Sequence, residues 1–125
     1  MRPCILIVED QEDNRRIARD LLSSVGFELI EASAGDEGVR LAELYRPGLI
    51  LMDVHMPVLD GYEATRRIKA NPELRETPII VVTSYALSGE ETKAKEAGAD
   101  AYVAKPYSPR ELLAIVRRFL PQHGD

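Results

Sequence analysis

Five short apolar runs punctuate the chain: Cys4–Val8, Phe27–Ala32, Leu49–Met52, Ile79–Val82 and Ala101–Ala104. The first, third and fourth are rich in Ile, Val and Leu without polar alternation, as strands buried on both faces are. Phe27–Ala32 carries Glu28 and Glu31, which suits an edge strand. The segments between the runs have helical spacing. Ile17, Leu21, Leu22 and Val25 form one stripe expected to face inward, and Val39 and Ala42 do the same in a helix over Gly35–Tyr45. Asp60-Gly61-Tyr62-Glu63 and Ser88-Gly89-Glu90-Glu91 read as capping boxes. Ser108-Pro109-Arg110-Glu111 adds Pro at the first helical position, and Leu112, Leu113, Val116, Phe119 and Leu120 give the last helix its inward face. Gly26 and Gly98 are placed to end helices. The fourth helix, Glu90–Ala97, offers only Ala94 and Ala97 for burial, so it is expected to be loosely held.

Strict alternation of strand and helix implies an α/β fold. We expect an open, doubly wound sheet of five parallel strands, joined by right-handed crossovers, with five helices on its two faces. Five units are too few for an eight-stranded barrel. The 125 residues suit a single domain, 1–125, with an ordered core over about 3–121 and a frayed tail at 122–125.

Composition narrows the picture by exclusion. Net charge is −5, which argues against a nucleic-acid partner, and Arg66, Arg67 and Lys69 read as a solvated helix face. No apolar stretch approaches the roughly 18 residues of a membrane span, and the N-terminus lacks a signal-peptide layout. A single cysteine, Cys4, excludes an internal disulfide and fits a reducing, cytoplasmic setting; it reads as a small buried hydrophobe.

The polar residues that follow each run carry the chemistry. Glu9 and Asp10 follow the first, Asp53 the third, Thr83 and Ser84 the fourth, and Lys105 and Pro106 the fifth. In a parallel sheet all strand C-termini share one edge, where ligands bind. Three carboxylates, hydroxyls and one ammonium therefore converge. Two carboxylates about 4 Å apart repel by about 4 kcal/mol at an effective dielectric near 20, so the group calls for protons, solvent or a cation. Hard oxygen ligands with open positions suit Mg²⁺. A site of this kind is built for a phosphoryl group. With no nucleotide-binding glycine loop in the chain, the nucleophile must be a side chain, and Asp53 is central among the candidates.

These residues resemble the response-regulator receiver family over essentially the whole chain. The matching motifs are Ile7-Val8-Glu9-Asp10, Leu51-Met52-Asp53-Val54-His55-Met56-Pro57 with Asp60-Gly61, Val82-Thr83-Ser84, Gly98-Ala99-Asp100 and Ala104-Lys105-Pro106. The resemblance implies the flavodoxin-like strand order 2-1-3-4-5, which is that of the family's chemotaxis member. It implies that Asp53 accepts phosphate from a histidine kinase or histidine phosphotransfer protein. Mg²⁺, or Mn²⁺ in its place, would be held by Glu9, Asp10, Asp53 and the backbone carbonyl of His55. Thr83 would bind a phosphoryl oxygen and Lys105 would pair with the phosphate. Thr83 and Tyr102 would form the switch, and the bond before Pro106 would be cis. Side chains at His55, Ser84 and Tyr85 would tune the lifetime of the phosphoryl group. Output would pass to a downstream protein over the face of the fourth helix, fifth strand and fifth helix, from a monomer or a weak phosphorylation-linked dimer. The chain departs from the family at Gly48, where Asp is usual, and at Ser84, where Ala is usual.

Three rivals stand beside this reading. An aspartate-nucleophile phosphatase would carry a second Asp where His55 stands. A flavin module would need a hydroxyl-rich phosphate loop where Glu9 and Asp10 stand. A receiver-like interaction module that is never phosphorylated is a further alternative, against which the complete acidic set of Glu9, Asp10 and Asp53 argues.

Overall fold

A computed structural model describes residues 4–84 and 89–120. The elements alternate as expected: β1 Cys4–Val8, α1 Glu12–Ser24, β2 Glu28–Ala32, α2 Gly35–Tyr45, β3 Leu49–Asp53, α3 Gly61–Ala70, β4 Ile79–Thr83, α4 Glu90–Ala97, β5 Ala101–Ala104 and α5 Pro109–Phe119. All strand pairs are parallel, in the order β2-β1-β3-β4-β5. The acid-bearing β2 is therefore an edge strand, and β1 lies between β2 and β3.

The apolar runs are continuous because the sheet is covered twice. Leu6, Val8, Ile50, Met52, Ile79 and Val81 pack with Ala42, Ala64, Ile68 and Ala94 of α2, α3 and α4. The alternate residues Ile5, Ile7, Leu49, Leu51, Ile80 and Val103 pack with Ala18, Leu22, Leu112 and Val116 of α1 and α5. Each Val, Leu, Ile or Met side chain among these, fully buried, stabilises the fold by about 1.5–3 kcal/mol. Among the described residues no helix is long and apolar enough to cross a membrane.

Several local expectations need correction. Ile17 is 57% exposed and does not join Leu22 in the core, because it points into the open side of α1 near Pro106. Cys4 is half-buried rather than buried. Burial first, then the neighbouring Glu28 charge, raises its thiol pKa, which disfavours the thiolate form. Asp60 caps α3 by accepting from the Glu63 amide at 2.9 Å, but the Glu63 side chain turns to Arg66 and Arg67 instead of completing a box. The cap of α4 is Gly89, at φ +98°, with no side-chain bond; Ser88 lies outside the described residues. The helix begins one residue later than the sequence box requires, and Glu90 is buried as a result. The box at Ser108 is complete, with Pro109 at the first helical position. Gly98 ends α4 at φ +101°, a backbone conformation L side chains rarely adopt.

The end of the sheet away from the acids is tied by one lysine. Lys69 Nζ donates to the carbonyls of Arg75 (3.0 Å) and Thr77 (2.7 Å) and to Asp100 Oδ2 (2.9 Å). Asp100 Oδ2 also accepts from the Ile79 amide at 2.9 Å, and the Asp100 amide returns a bond to the Ile79 carbonyl at 2.8 Å.

Candidate functional site

Parallel strands deliver their terminal polar residues to one rim. The β1–β2 ladder runs one step past β1, with the Glu9 amide donating to the Ala32 carbonyl at 3.0 Å. This places Glu9, 6% exposed, beside Asp53 at the end of the central strand β3, 4% exposed. Asp10 follows, half-buried. One carboxylate oxygen from each of Glu9, Asp10 and Asp53 lies within 4.8 Å of the others. The three acids expected to gather do gather.

Lys105 reaches the same point from the end of β5. Its Nζ donates to Glu9 Oε1 at 2.8 Å and to Asp53 Oδ1 at 3.3 Å. Its backbone amide donates to the Thr83 carbonyl at 2.6 Å, and the Lys105–Pro106 bond is cis. Burial works against the charged ammonium, but the Glu9 hydrogen bond and the two carboxylate charges outweigh it, and the Lys105 pKa is raised. Burial, then the Glu9 charge, pushes the Asp53 carboxyl up to about 6 against the opposing pull of Lys105.

The residue set fits a divalent cation. Three carboxylates and one ammonium leave two negative charges uncompensated, and the Glu9 charge adds to burial in raising the Asp53 pKa. Asp10 Oδ1 is buried with no hydrogen-bond partner, an acceptor that a cation would satisfy. All three donors are hard oxygens.

The α3 start is pressed against the Asp53 backbone. A Cβ at Gly61 would lie 2.1 Å from the Asp53 carbonyl oxygen and 2.8 Å from Val54 Cα, so only glycine fits. The Gly61 amide donates to the Val54 carbonyl at 3.0 Å. The sequence offered Asp60-Gly61 as a cap; that Gly61 also abuts the candidate nucleophile's peptide was not visible in it.

Thr83 is fully buried at the end of β4, and its hydroxyl lies 3.2 Å from the His55 ring Nε2. No spacing rule links positions 28 apart, so this contact escaped sequence reading. Ser84 is exposed beyond it, and Tyr85 lies outside the described residues. Tyr102 is half-buried and lines a hollow of about 270 Å³ with Ala94, Lys95, Ile115 and Arg118, between α4 and α5. Tyr107, unremarked in the sequence, is half-buried beside Lys105; burial first raises its pKa.

Comparison with known proteins agrees with this geometry. Residues 5–117 match the response regulator receiver domain family. The polar-differentiation response regulator DivK of Brucella anthropi is 38% identical over 120 residues, covering 96% of this chain and 98% of that protein. The receiver domain of the sensor histidine kinase PA1611 of Pseudomonas aeruginosa superposes with a TM-score of 0.88 at 40% identity, covering 95% of this chain and 98% of that one; that structure holds magnesium in its active-site cleft. The Vibrio cholerae chemotaxis protein CheY4 superposes with a TM-score of 0.91 at 28% identity, over 96% of this chain and all of that one. The chain therefore belongs to the response regulator receiver domain family of two-component signalling.

Proposed function

We propose that this protein is a phosphoacceptor whose Asp53 takes a phosphoryl group from a phosphohistidine on a histidine kinase or histidine phosphotransfer protein. The observation that carries the reading is the buried Asp53 carboxylate within reach of two further acids and bonded to Lys105. An Asp53 oxygen forms the new P–O bond while the P–N bond to the donor imidazole breaks, its electron pair leaving with the ring. Glu9, Asp10, Asp53 and the His55 carbonyl are the residues that would hold Mg²⁺ or Mn²⁺, which when bound offsets charge on the phosphoryl oxygens. Lys105 supplies the fixed positive charge on the other side. Thr83 is the hydroxyl donor for a phosphoryl oxygen, and its departure from the His55 ring is the first event of the switch. Tyr102 follows it, altering the face of α4, β5 and α5 that a downstream protein reads. His55, Ser84 and Tyr85 set how fast water removes the phosphoryl group. The exposed Ile17, with Asn14, Pro106 and Tyr107, lines an open hollow beside Lys105 over which a donor protein can approach. The setting is cytoplasmic.

Intact mass after incubation with a small acyl-phosphate donor, with and without Mg²⁺, tests this. A single phosphoryl adduct that needs Mg²⁺ and is absent from Asp53→Asn is the expected result. Steady turnover of free phosphate esters would favour a phosphatase instead, and no adduct under any donor would favour a pure interaction module.

A further inference from the structure

Asp10 has a geometric problem that its own side chain does not solve. Its Oδ1 is buried without a hydrogen bond, so no bond to that oxygen fixes its direction toward Asp53. The aim must come from the backbone, and above all from the Glu9–Asp10 peptide. Among the described residues, one side chain donates to the carbonyl of that peptide. Arg15 Nη1 lies 2.9 Å from the Glu9 oxygen.

The rest of the Arg15 fork is held just as firmly. Nε donates to Glu31 Oε1 at 3.1 Å on the edge strand, and Nη2 donates to Glu12 Oε2 at 2.8 Å in the first turn of α1. Its side chain is 17% exposed. Glu31 is itself gripped by Arg19 Nη1 at 3.2 and 3.3 Å. Two guanidinium groups and two carboxylates cancel in charge, so the cluster adds little net field at the acids. What it adds is orientation: a planar fork ties the β1–α1 loop to α1 and β2 at once.

We propose that Arg15 is a positioning residue for the divalent-cation site, aiming the Asp10 carboxylate through the Glu9 carbonyl. The inference rests on the reading of Glu9, Asp10 and Asp53 as a metal site. A lysine keeps the charge but has a point-like head that does not serve three acceptors in separate directions. Loss of a partner bonded directly to a metal ligand weakens metal affinity by about 10–100-fold, and Arg15, acting one peptide away, should fall at the lower end of that range.

Mn²⁺ titration followed by electron paramagnetic resonance reads the affinity in the unphosphorylated protein, without any phosphoryl donor. Arg15→Lys is expected to bind Mn²⁺ at least about tenfold more weakly than the parent. Arg19→Ala, which loosens the same Glu31 but leaves the Glu9 carbonyl bonded, is expected to bind as the parent does. Thermal melts confirm that each variant is folded at the titration temperature. Equal affinities for Arg15→Lys and the parent would overturn the role of Arg15 alone, as would an Arg19→Ala loss matching that of Arg15→Lys. A parent that binds no Mn²⁺ overturns the metal site itself, and with it this role.

Discussion

The Tyr62 hydroxyl donates to Glu90 Oε1 at 2.7 Å, joining the first turn of α3 to the first residue of α4. The second helix in this pair has little else to hold it, since Ala94 and Ala97 are its only buried apolar residues. A hydrogen bond to a charged group contributes about 1.5–3 kcal/mol. Lys93 Nζ, 3.4 Å from Glu90 Oε2, would remain in Tyr62→Phe, so the loss should sit near the lower end, about 1.5 kcal/mol. Hydrogen exchange should show amides of α4 opening faster in this variant while those of α5 are unchanged. The Tyr62 hydrogen bond is the main cause holding the Glu90 carboxyl below its usual range. A depressed carboxyl stabilises the fold above its unfolded pKa and loses that contribution as pH falls through its folded value. The difference between parent and Tyr62→Phe in urea denaturation should therefore shrink on acidification.

Asp53 predicts the opposite slope. Its pKa is raised from 3.8 to about 6, so in that window the folded state holds a proton the unfolded state has released. Stability of the protein stripped of divalent ions should fall as pH rises through the window, by on the order of 3 kcal/mol. Asp53→Asn removes the titration and should be more stable than the parent at pH 7.5 without metal. Adding Mg²⁺ should raise the melting temperature of the parent and leave that of Asp53→Asn nearly unchanged. Melts in chelator and in excess Mg²⁺ across pH measure all of this.

Gly61→Ala places a carbon against main-chain atoms that cannot rotate away. Overpacking of this kind costs about 1–3 kcal/mol. Because the obstructing atoms are the Asp53 and Val54 backbone, the strain should displace the candidate nucleophile Asp53 as well. We expect a loss of about 3 kcal/mol in chemical denaturation, together with slower phosphorylation by a small donor at a temperature where the variant is folded.

Ser108→Ala removes the acceptor for the Glu111 amide, 3.1 Å away, while the reciprocal bond from the residue 108 amide to the Glu111 carboxylate remains available. A loss of about 1 kcal/mol is expected by urea denaturation. Mn²⁺ affinity should be unaffected, since α5 contributes no side chain to the acidic trio.

Much of this molecule was legible because its signals are periodic. Strand order apart, the ten elements follow from the apolar runs and the turns between them. The rim residues Glu9, Asp10, Asp53, Thr83 and Lys105 follow from parallel topology alone. What escaped is what depends on three-dimensional approach. Ile17 fits a helical stripe, yet it lies toward the start of α1, where the helix faces the open β5–α5 loop. Ser88-Gly89-Glu90-Glu91 read as a capping box, but the cap falls on Gly89 and Glu90 accepts from Tyr62. The Arg15 bond to the Glu9 carbonyl and the His55 contact with Thr83 join a side chain to a partner that no pattern along the chain marks.

Lys69 and Asp100 fasten the starts of β4 and β5 to the loop below α3. With that end clamped, neither strand can slide along its neighbour. On the phosphoacceptor reading, a tug on Thr83 would be taken up above the clamp, toward α4. If Asp53 is the phosphoacceptor, the sheet would serve as a fixed anvil, and a chemical event at its upper border would be passed to one lightly moored helix.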